Sequence, residues 1–284
     1  MLNFSQLLAP STPLDYFSLL VKNDDDFPLL EAAAAVAQDE YEDLDVQEVL
    51  DGVDQMAVKL QRKIALDAAP LQRLHILNRF FFMEMGFSGN ANDYYAPDNS
   101  YLNAVLKTRR GIPISLAIIW LELASAIGLK TNGINFPGHF LIKISLPQGQ
   151  VIMDPLDARS IDGQEIADRL EPFHKRLGLE GEFEVPFGLY LQDAAPRDIL
   201  ARLLRNLKEI YRGDTDWDRL VCVQNRIIAL LPTAWHEYRD RGLALAKLHR
   251  RDEAVIDLDL YLHHGEDMGD REMVLLTRTQ LLAF

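Results

Sequence analysis

Residues 111–155 read "GIPISLAIIWLELASAIGLKTNGINFPGHFLIKISLPQGQVIMDP" and contain two different residue patterns. The first part is apolar on almost every side, which is typical of a helix buried at the centre of a domain. Pro113 suits the first turn of that helix and Gly128 suits its end. The second part has the alternation and the turn residues of β-strands. The predicted strands are "KTNGINF" (130–136), "HFLIKIS" (139–145) and "QVIMDP" (150–155).

The second and third predicted strands form an apparent hairpin with a histidine and an aspartate at its two ends. If residues 146–149 form a four-residue loop, Ser145 pairs with Gln150. Because side chains alternate across a strand, His139 and Asp154 then share one face as diagonal neighbours, with roughly 7–8 Å between their backbones. A loop one residue longer or shorter would place the two side chains on opposite faces.

The chain before residue 86 is predicted to be helical. Apolar residues recur at helical spacing in "DVQEVLDGVDQMAVKLQRKIA" (45–65) and again in "PLQRLHILNRFFFMEMGF" (70–87). The segment that follows, "SGNANDYYAPDNS" (88–100), is rich in turn-forming residues and is predicted to be a long loop. Helices and a loop therefore precede the buried helix and the strands.

The last third of the chain has a helical pattern that repeats. At a shift of 34 residues three pairs superimpose: Asp218 on Asp252, Val221 on Val255, and Ile228 on Leu262. A helix-pair period of about 34 residues is that of tetratricopeptide repeats (TPRs). We therefore divide the chain into an N-terminal helical region (1–85), a core (86–192) and TPR-like helical repeats (193–284).

Composition and charge exclude several classes of protein. With 48% apolar and 25% charged residues, the 284-residue chain is an ordinary globular sequence. Its net charge of −14 argues against nucleic-acid binding, which needs basic surface, and against adhesion to anionic lipid. The first residues lack the features of a signal peptide, and no apolar run reaches the roughly 18 residues of a membrane span. The single cysteine excludes an internal disulfide framework, so a cytoplasmic location is expected.

No cofactor and no metal are expected, because phosphate-binding loops and metalloprotease helices are absent from the sequence. The segment "HHGED" (263–267) offers two histidines and two carboxylates. Adjacent histidines on a helix point about 100° apart, which makes a poor chelate, so a solvated helix end is favoured over a metal site. Cys222 lies between apolar residues, and we expect a small core residue there rather than a reactive thiol.

Short motifs from residue 89 to residue 155 occur in a recognisable order: Gly89-Asn90, Asn99-Ser100, Gly111-Ile112-Pro113, Ser115-Leu116, "PGHF" (137–140) and "DP" (154–155). With these motifs the chain resembles the bacterial SirB-type family, which joins a transglutaminase-like core to C-terminal TPR helices. The resemblance implies an α+β fold with a papain/transglutaminase-like core, in which a central helix packs on an antiparallel sheet. This core would lie within a mostly helical chain that ends in TPR-like helix pairs.

The same resemblance implies a site. In catalytic members of the wider superfamily a cysteine opens the central helix, a histidine follows on one strand, and an aspartate follows on the next. His139 and Asp154 match the last two positions. The cysteine position departs from the pattern: judged by its spacing to Ala117 it falls at Pro113, and judged by the nearest hydroxyl it falls at Ser115. Proline cannot react, and a serine would need His139 as a general base.

Two functions therefore stay open. The favoured hypothesis is a non-catalytic protein that recognises a protein or peptide partner, with His139 and Asp154 as a structural pair. The alternative is an amide or ester hydrolase, or an acyl transferase, that uses a degenerate triad of Ser115, His139 and Asp154.

The long loop supplies the candidate binding residues. Asn90, Tyr94 and Asn99 offer hydrogen-bond donors, acceptors and an aromatic face just before the core, and Pro113 stands at the former nucleophile position. Long loops of this kind either bind a ligand or bridge two layers of a domain. We expect this one to wrap the core and to border the groove of the former active site.

Overall fold

A computed structural model describes residues 12–176, 186–264 and 269–283, and this part of the chain is mostly helical. It divides into two units. The core unit comprises residues 29–37 and 43–203. The repeat unit comprises the described residues up to 28, residues 38–42, and the described residues from 204 onward. The three regions inferred from the sequence stay predictions.

The core unit contains a set of helices and two small sheets. Its helices are α2 (Leu29–Ala35), α3 (Val46–Gln61), α4 (Pro70–Asn78), α5 (Leu102–Thr108), α6 (Pro113–Ala126), α7 (Gly163–Arg176) and α8 (Phe187–Tyr190). A π-helical segment, Arg79–Glu84, continues α4. Its strands are β1 (Ser88–Gly89), β2 (Arg110–Gly111), β3 (Lys130–Ile134), β4 (Leu141–Leu146), β5 (Gly149–Met153) and β6 (Ser160–Ile161).

Helix α6 is the predicted central helix. Ten of its 14 residues are buried, and it packs against α2, α3, α4 and α5 as well as against β3 and β4. Pro113 occupies the first turn, where its missing N–H costs no helical hydrogen bond. The helix ends as predicted, because Gly128 adopts a positive φ of 72° that other residues avoid. None of the described helices combines the length and the apolar character that a membrane span requires.

The main sheet is antiparallel, with the order β3-β4-β5-β6. The predicted pairing of Ser145 with Gln150 is confirmed. The hairpin turn is tighter than the predicted loop, because Leu146 and Gly149 also pair, which leaves two residues between the strands. Removing two residues from a loop leaves the alternation of faces unchanged, so the geometry inferred for the histidine and the aspartate still holds.

The loop before α5 is anchored by a second, parallel strand pair that the sequence did not reveal. Ser88 pairs with Arg110, and Gly89 pairs with Gly111. Two-residue strands give no detectable alternation, so this long-range pairing leaves no local pattern. The pairing brings the beginning of the loop beside the residues that precede α6.

The repeat unit contains α1 (Pro13–Leu20), α10 (Trp217–Leu230), α11 (Trp235–Lys247), α12 (Arg251–His264) and α13 (Arg271–Leu282), together with residues 204–213 of α9 (Pro196–Gly213). The first residues of α10 and α12, Trp217 and Arg251, lie 34 positions apart, as the sequence shift predicted. Consecutive helices pack as neighbours from α10 to α13. Gly242 permits one close approach, since a Cβ atom there would lie 2.9 Å from Leu258 Cδ2.

Candidate functional site

The site lies in the core unit, where the turn before β4 meets the end of β5. The side chains of His139 and Asp154 are in contact there, with 3.0 Å between Nε2 and Oδ2. This confirms the proximity inferred from the hairpin register. The histidine side chain is 20% exposed and the aspartate side chain is 7% exposed, so the pair opens to solvent on the histidine side.

Two further groups hold the Asp154 carboxylate. The Leu156 N–H donates to Oδ1 at 3.1 Å, and Arg169 Nη2 donates to Oδ2 at 3.2 Å. Arg169 lies on α7 and is oriented in turn by Glu165, one helical turn earlier, at 2.7 Å. Burial raises the pKa of Asp154, but the hydrogen bond and charge of His139, the Leu156 N–H and Arg169 together bring it below its ordinary value. The aspartate is therefore an ionised acceptor near neutrality.

The lowered pKa of Asp154 predicts a pH-dependent contribution to stability. A carboxyl whose pKa is lower in the folded state stabilises the fold above its ordinary pKa, and this contribution disappears as the pH falls through the folded-state value. We expect Asp154→Asn to reduce the free energy of unfolding by about 1–3 kcal/mol at pH 7, with a difference from wild type that shrinks as the pH falls below the ordinary aspartate pKa of about 4. Urea unfolding at several pH values measures it. The exposed Asp157→Asn is the control, and a pH-independent difference for Asp154→Asn would contradict the assignment.

Arg202, at the start of α9, lies beside the turn that carries His139. Its Nη1 donates to the Phe136 carbonyl at 2.8 Å, and the same carbonyl accepts from the His139 backbone N–H at 3.1 Å. Tyr94 interacts electrostatically with both Arg202 and Asp154, and burial is the main cause of its raised pKa. No local pattern in the sequence points to Arg169 or Arg202 as site residues. The Glu165–Arg169 spacing indicates only a pair on a helix surface.

The Ser115 hydroxyl, in the first turn of α6, points into the protein. The Ser115 hydroxyl donates to the Asn99 carbonyl at 2.5 Å and accepts from the Ile112 N–H at 3.1 Å. Its side chain is fully buried, and its hydrogen-bond partners in the described part of the chain do not include His139. Pro113 is also buried. The structure thus brings His139 and Asp154 together and engages the hydroxyl of Ser115 elsewhere.

The long loop wraps the start of α6 through its asparagines. Asn90 Nδ2 donates to Asn99 Oδ1 at 2.9 Å, and Asn99 Nδ2 donates to the carbonyls of Asp93 and Tyr94 at 2.6 and 3.1 Å. Asn99 is buried, whereas Tyr94 is 45% exposed and packs edge-on against Tyr95. Among the four predicted binding residues, Tyr94 therefore offers the most surface to a ligand, while the amide of Asn99 is committed to the loop. Their binding role stays a prediction.

Comparison with known proteins places this geometry in a family. Residues 47–205 match the model of the transglutaminase-like superfamily, and residues 207–281 match a tetratricopeptide repeat model. The chain belongs to the transglutaminase-like superfamily. Its organisation is a transglutaminase-like domain followed by TPR helices, as the motifs and the 34-residue shift predicted.

Relatives of this transglutaminase-like protein occur in several bacteria. A UPF0162 protein of Xylella fastidiosa strain Temecula1 is 37% identical over 284 residues, which cover 97% of this chain and 98% of that one. A UPF0162 protein of Pasteurella multocida is 30% identical over 72% of this chain and 76% of its own. Protein SirB1 of Salmonella typhimurium is 24% identical over 82% of this chain and 84% of its own. No solved structure matches the chain.

Outside this site, the sequence offers the thiol of Cys222 and the segment "HHGED" (263–267) as possible reactive or metal-binding groups. Cys222 is exposed, so the expectation of a core residue was wrong, because the side chain projects from α10 between buried neighbours. Partial desolvation and then Asp39 raise the pKa of its thiol, which opposes reactivity. In the segment "HHGED", residues 265–267 lie outside the described residues, and His264 stacks on Trp235 with 4.2 Å between ring centroids.

Proposed function

We propose that this transglutaminase-like protein is non-catalytic and recognises a protein or peptide partner, using the surface beside His139 and its TPR helices. The observation that carries the proposal is the Ser115 hydroxyl, which is fully buried and bonded to Asn99 and Ile112 at the start of the central helix. Judged by its spacing to Ala117, the superfamily's cysteine position is occupied here by Pro113, which has no group that can attack. With one cysteine and a strongly negative charge, the proposal places the protein in the cytoplasm.

The arrangement of His139 and Asp154 supports recognition as well as it would support catalysis. The pair is held by Arg169 and by a backbone N–H, so the imidazole has a defined orientation at a partly open surface. Tyr94 adds an exposed aromatic face near the pair. Rigid aromatic and charged groups of this type supply much of the binding energy in peptide and protein interfaces.

The TPR helices supply a second contact surface for a partner. A cavity of about 650 Å³ in the repeat unit is lined by residues of α11 and α13, of the turn after α11 and by the first residue of α12, among them Met273, Leu281, Lys247 and Arg251. None of its lining residues is acidic, although the whole chain carries a charge of −14. Nearby on α13, Leu276 and Leu282 are exposed. Apolar groups beside basic ones suit an amphipathic segment of a partner protein.

The alternative function is that of a Ser115-dependent hydrolase or acyl transferase. It requires the Ser115 hydroxyl to leave Asn99 and Ile112 and to reach a nitrogen of His139. Breaking these bonds would cost about 0.5–1.5 kcal/mol for each bond lost, because the Ile112 N–H and the Asn99 carbonyl would keep only the bond between them, at 3.3 Å. This cost favours the non-catalytic function.

Serine-directed chemistry and peptide selection separate the two functions. We expect a fluorophosphonate probe to label wild type and Ser115→Ala equally weakly, because the hydroxyl is buried and lacks a base. Labelling of wild type that is lost in Ser115→Ala and in His139→Ala would overturn the non-catalytic assignment.

For recognition, we expect a displayed peptide library to yield ligands whose affinity falls about tenfold in Tyr94→Ala, since a buried aromatic contact contributes at least about 1.4 kcal/mol in a peptide interface. Met83→Ala, which removes an exposed side chain of the π-helical segment, is the matched control. Failure to select any peptide that wild type binds would count against the recognition function.

A further inference from the structure

Arg202 occupies an unusual place in the core unit. It is half-buried on the first part of α9, and one end of its guanidinium is held by the Phe136 carbonyl at 2.8 Å. The His139 backbone N–H donates to the same carbonyl, so the guanidinium and the imidazole belong to one turn. Its carbon atom Cζ lies 6.0 Å from the centre of the Phe140 ring. The arginine is thus positioned by backbone and ring contacts.

Among the described residues, no carboxylate forms an ion pair with Arg202 within 4 Å, although the nearby basic groups are paired. Arg169 is bonded to Asp154 and to Glu165, and Lys143 is paired with Asp193. A half-buried charge without an opposite charge is unfavourable, because burial removes water that the protein does not replace. Desolvation accordingly lowers the pKa of Arg202. Within the described residues, the half-buried positive charge of Arg202 therefore lacks a negative charge that would balance it.

Other groups limit which anion would complete the site. The Tyr94 side chain is close enough to Arg202 and to Asp154 for electrostatic interaction with both, and its hydroxyl can donate a hydrogen bond. Asp154 is ionised, and its neighbours His139 and Arg169 already use its oxygens. A second negative charge near Asp154 is tolerated more easily if it is single than if it is double, because repulsion scales with the product of charges. A carboxylate fits better than a phosphate.

We propose that Arg202 and Tyr94 form a binding site for a carboxylate of the partner, either its C-terminal carboxylate or the side chain of an aspartate or glutamate. The inference rests on the proposed recognition function, since the carboxylate belongs to the recognised peptide. The guanidinium supplies the charge and two parallel N–H groups, which match the geometry of a carboxylate. The tyrosine hydroxyl supplies a third donor.

Small N-acetylated amides test the site directly. N-acetylglutamine carries only an α-carboxylate, N-acetylglutamic acid α-amide carries only a side-chain carboxylate, and N-acetylglutamine α-amide is neutral. Titration of each into the full chain, followed by the side-chain Nε–H signal of Arg202 and the backbone signals of Tyr94 and His139 in NMR spectra, measures binding. We expect one of the two carboxylates to bind at least about tenfold more tightly than the neutral amide, as charge-assisted hydrogen bonds imply. Which one binds identifies the source of the carboxylate.

Substitutions test which side chains form the carboxylate site. Arg202→Gln is expected to abolish the preference for the carboxylate, Tyr94→Phe to weaken it severalfold, and Arg202→Lys to retain part of it because it keeps the charge. Arg205→Gln is the matched control, since it makes the same change one turn later on the same helix, where the side chain already faces Glu237 at 3.6 Å. The dispersion of the backbone spectrum reports whether each variant is folded.

Equal binding of the neutral amide, or an unchanged preference in folded Arg202→Gln, would reject the carboxylate site. The comparison of the three probes on wild type needs no variant, so it decides the question even where a substitution disturbs the fold. The carboxylate site can be rejected without rejecting the recognition function. Peptides from the displayed library that bind Arg202→Gln as tightly as wild type would leave recognition intact and remove only the carboxylate site.

Discussion

Pro113→Cys is expected to introduce a thiol with a depressed pKa. The experiment uses Pro113→Cys together with Cys222→Ser, so that the new thiol is the single one in the chain. The start of α6 favours a negative charge, and the match to the transglutaminase-like superfamily implies that a side chain at position 113 would face His139. Alkylation by iodoacetamide at increasing pH should therefore show a midpoint about two units below the ordinary thiol value of about 8.5.

The pH midpoint is a better measurement for this variant than the rate at one pH. At pH 6.5 a thiol of pKa about 6.5 is half ionised, against about 1% for an ordinary thiol, but its lower basicity reduces its intrinsic nucleophilicity by nearly tenfold. The net gain in rate is then only about fivefold. Adding His139→Ala to the variant should return the midpoint toward the ordinary value.

Ser115→Cys distinguishes the two placements of the missing cysteine. The hydroxyl of Ser115 is turned toward Asn99 and Ile112, so a thiol there is expected to react slowly and without dependence on His139. The opposite result, with a reactive thiol at 115 and an inert one at 113, would contradict the assignment of the superfamily's cysteine position to Pro113. It would strengthen the Ser115-dependent alternative.

Loss of Arg226 is expected to destabilise the repeat unit strongly. Its side chain is 1% exposed, and Nε and Nη2 donate to the two oxygens of Asp39 at 2.7 and 2.8 Å. Its guanidinium also lies 5.0 Å from the centre of the Phe17 ring of α1. Arg226→Ala would leave the carboxylate without its partner and a cavity beside the ring, so we expect a loss of about 3–5 kcal/mol in the free energy of unfolding.

Arg219 provides the matched control for this prediction. It lies on the same helix, α10, and it also donates two hydrogen bonds to a carboxylate of the same segment, Glu40, at 2.6 and 2.9 Å. Its side chain is 51% exposed, so water replaces the lost interaction and Arg219→Ala should cost less than about 1 kcal/mol. Urea unfolding of both variants at pH 7 measures the difference. Equal losses would show that burial does not set the strength of these pairs.

Much of the core could be predicted because its signals are local. The apolar run from residue 113 to 126, with a proline as its first residue and Gly128 after it, predicts a buried helix, and the structure has that helix. The alternation in "HFLIKIS" and "QVIMDP" predicts two paired strands. The length of the turn was wrong by two residues, and the register was nevertheless right because strand faces depend only on whether that number is even.

Contacts between distant segments could not be predicted. Arg169 and Arg202 reach the site from helices whose own patterns give no reason to turn toward Asp154 or Phe136. The direction of Ser115 depends on the Asn99 carbonyl, 16 residues earlier, and on the loop that carries it. A hydroxyl in the first turn of a helix has the same local sequence whether it points inward or outward.

For this protein, residue order alone established the central helix, the hairpin that brings His139 to Asp154, and the TPR period, since each follows from a repeat of two, about four or 34 residues along the chain. The hydrogen bonding of the Ser115 hydroxyl depends on how remote segments pack together, and so does the absence of a carboxylate partner for Arg202 among the described residues. Periodicity is a property of neighbours in sequence, whereas burial and pairing of a polar group depend on what the rest of the fold places beside it.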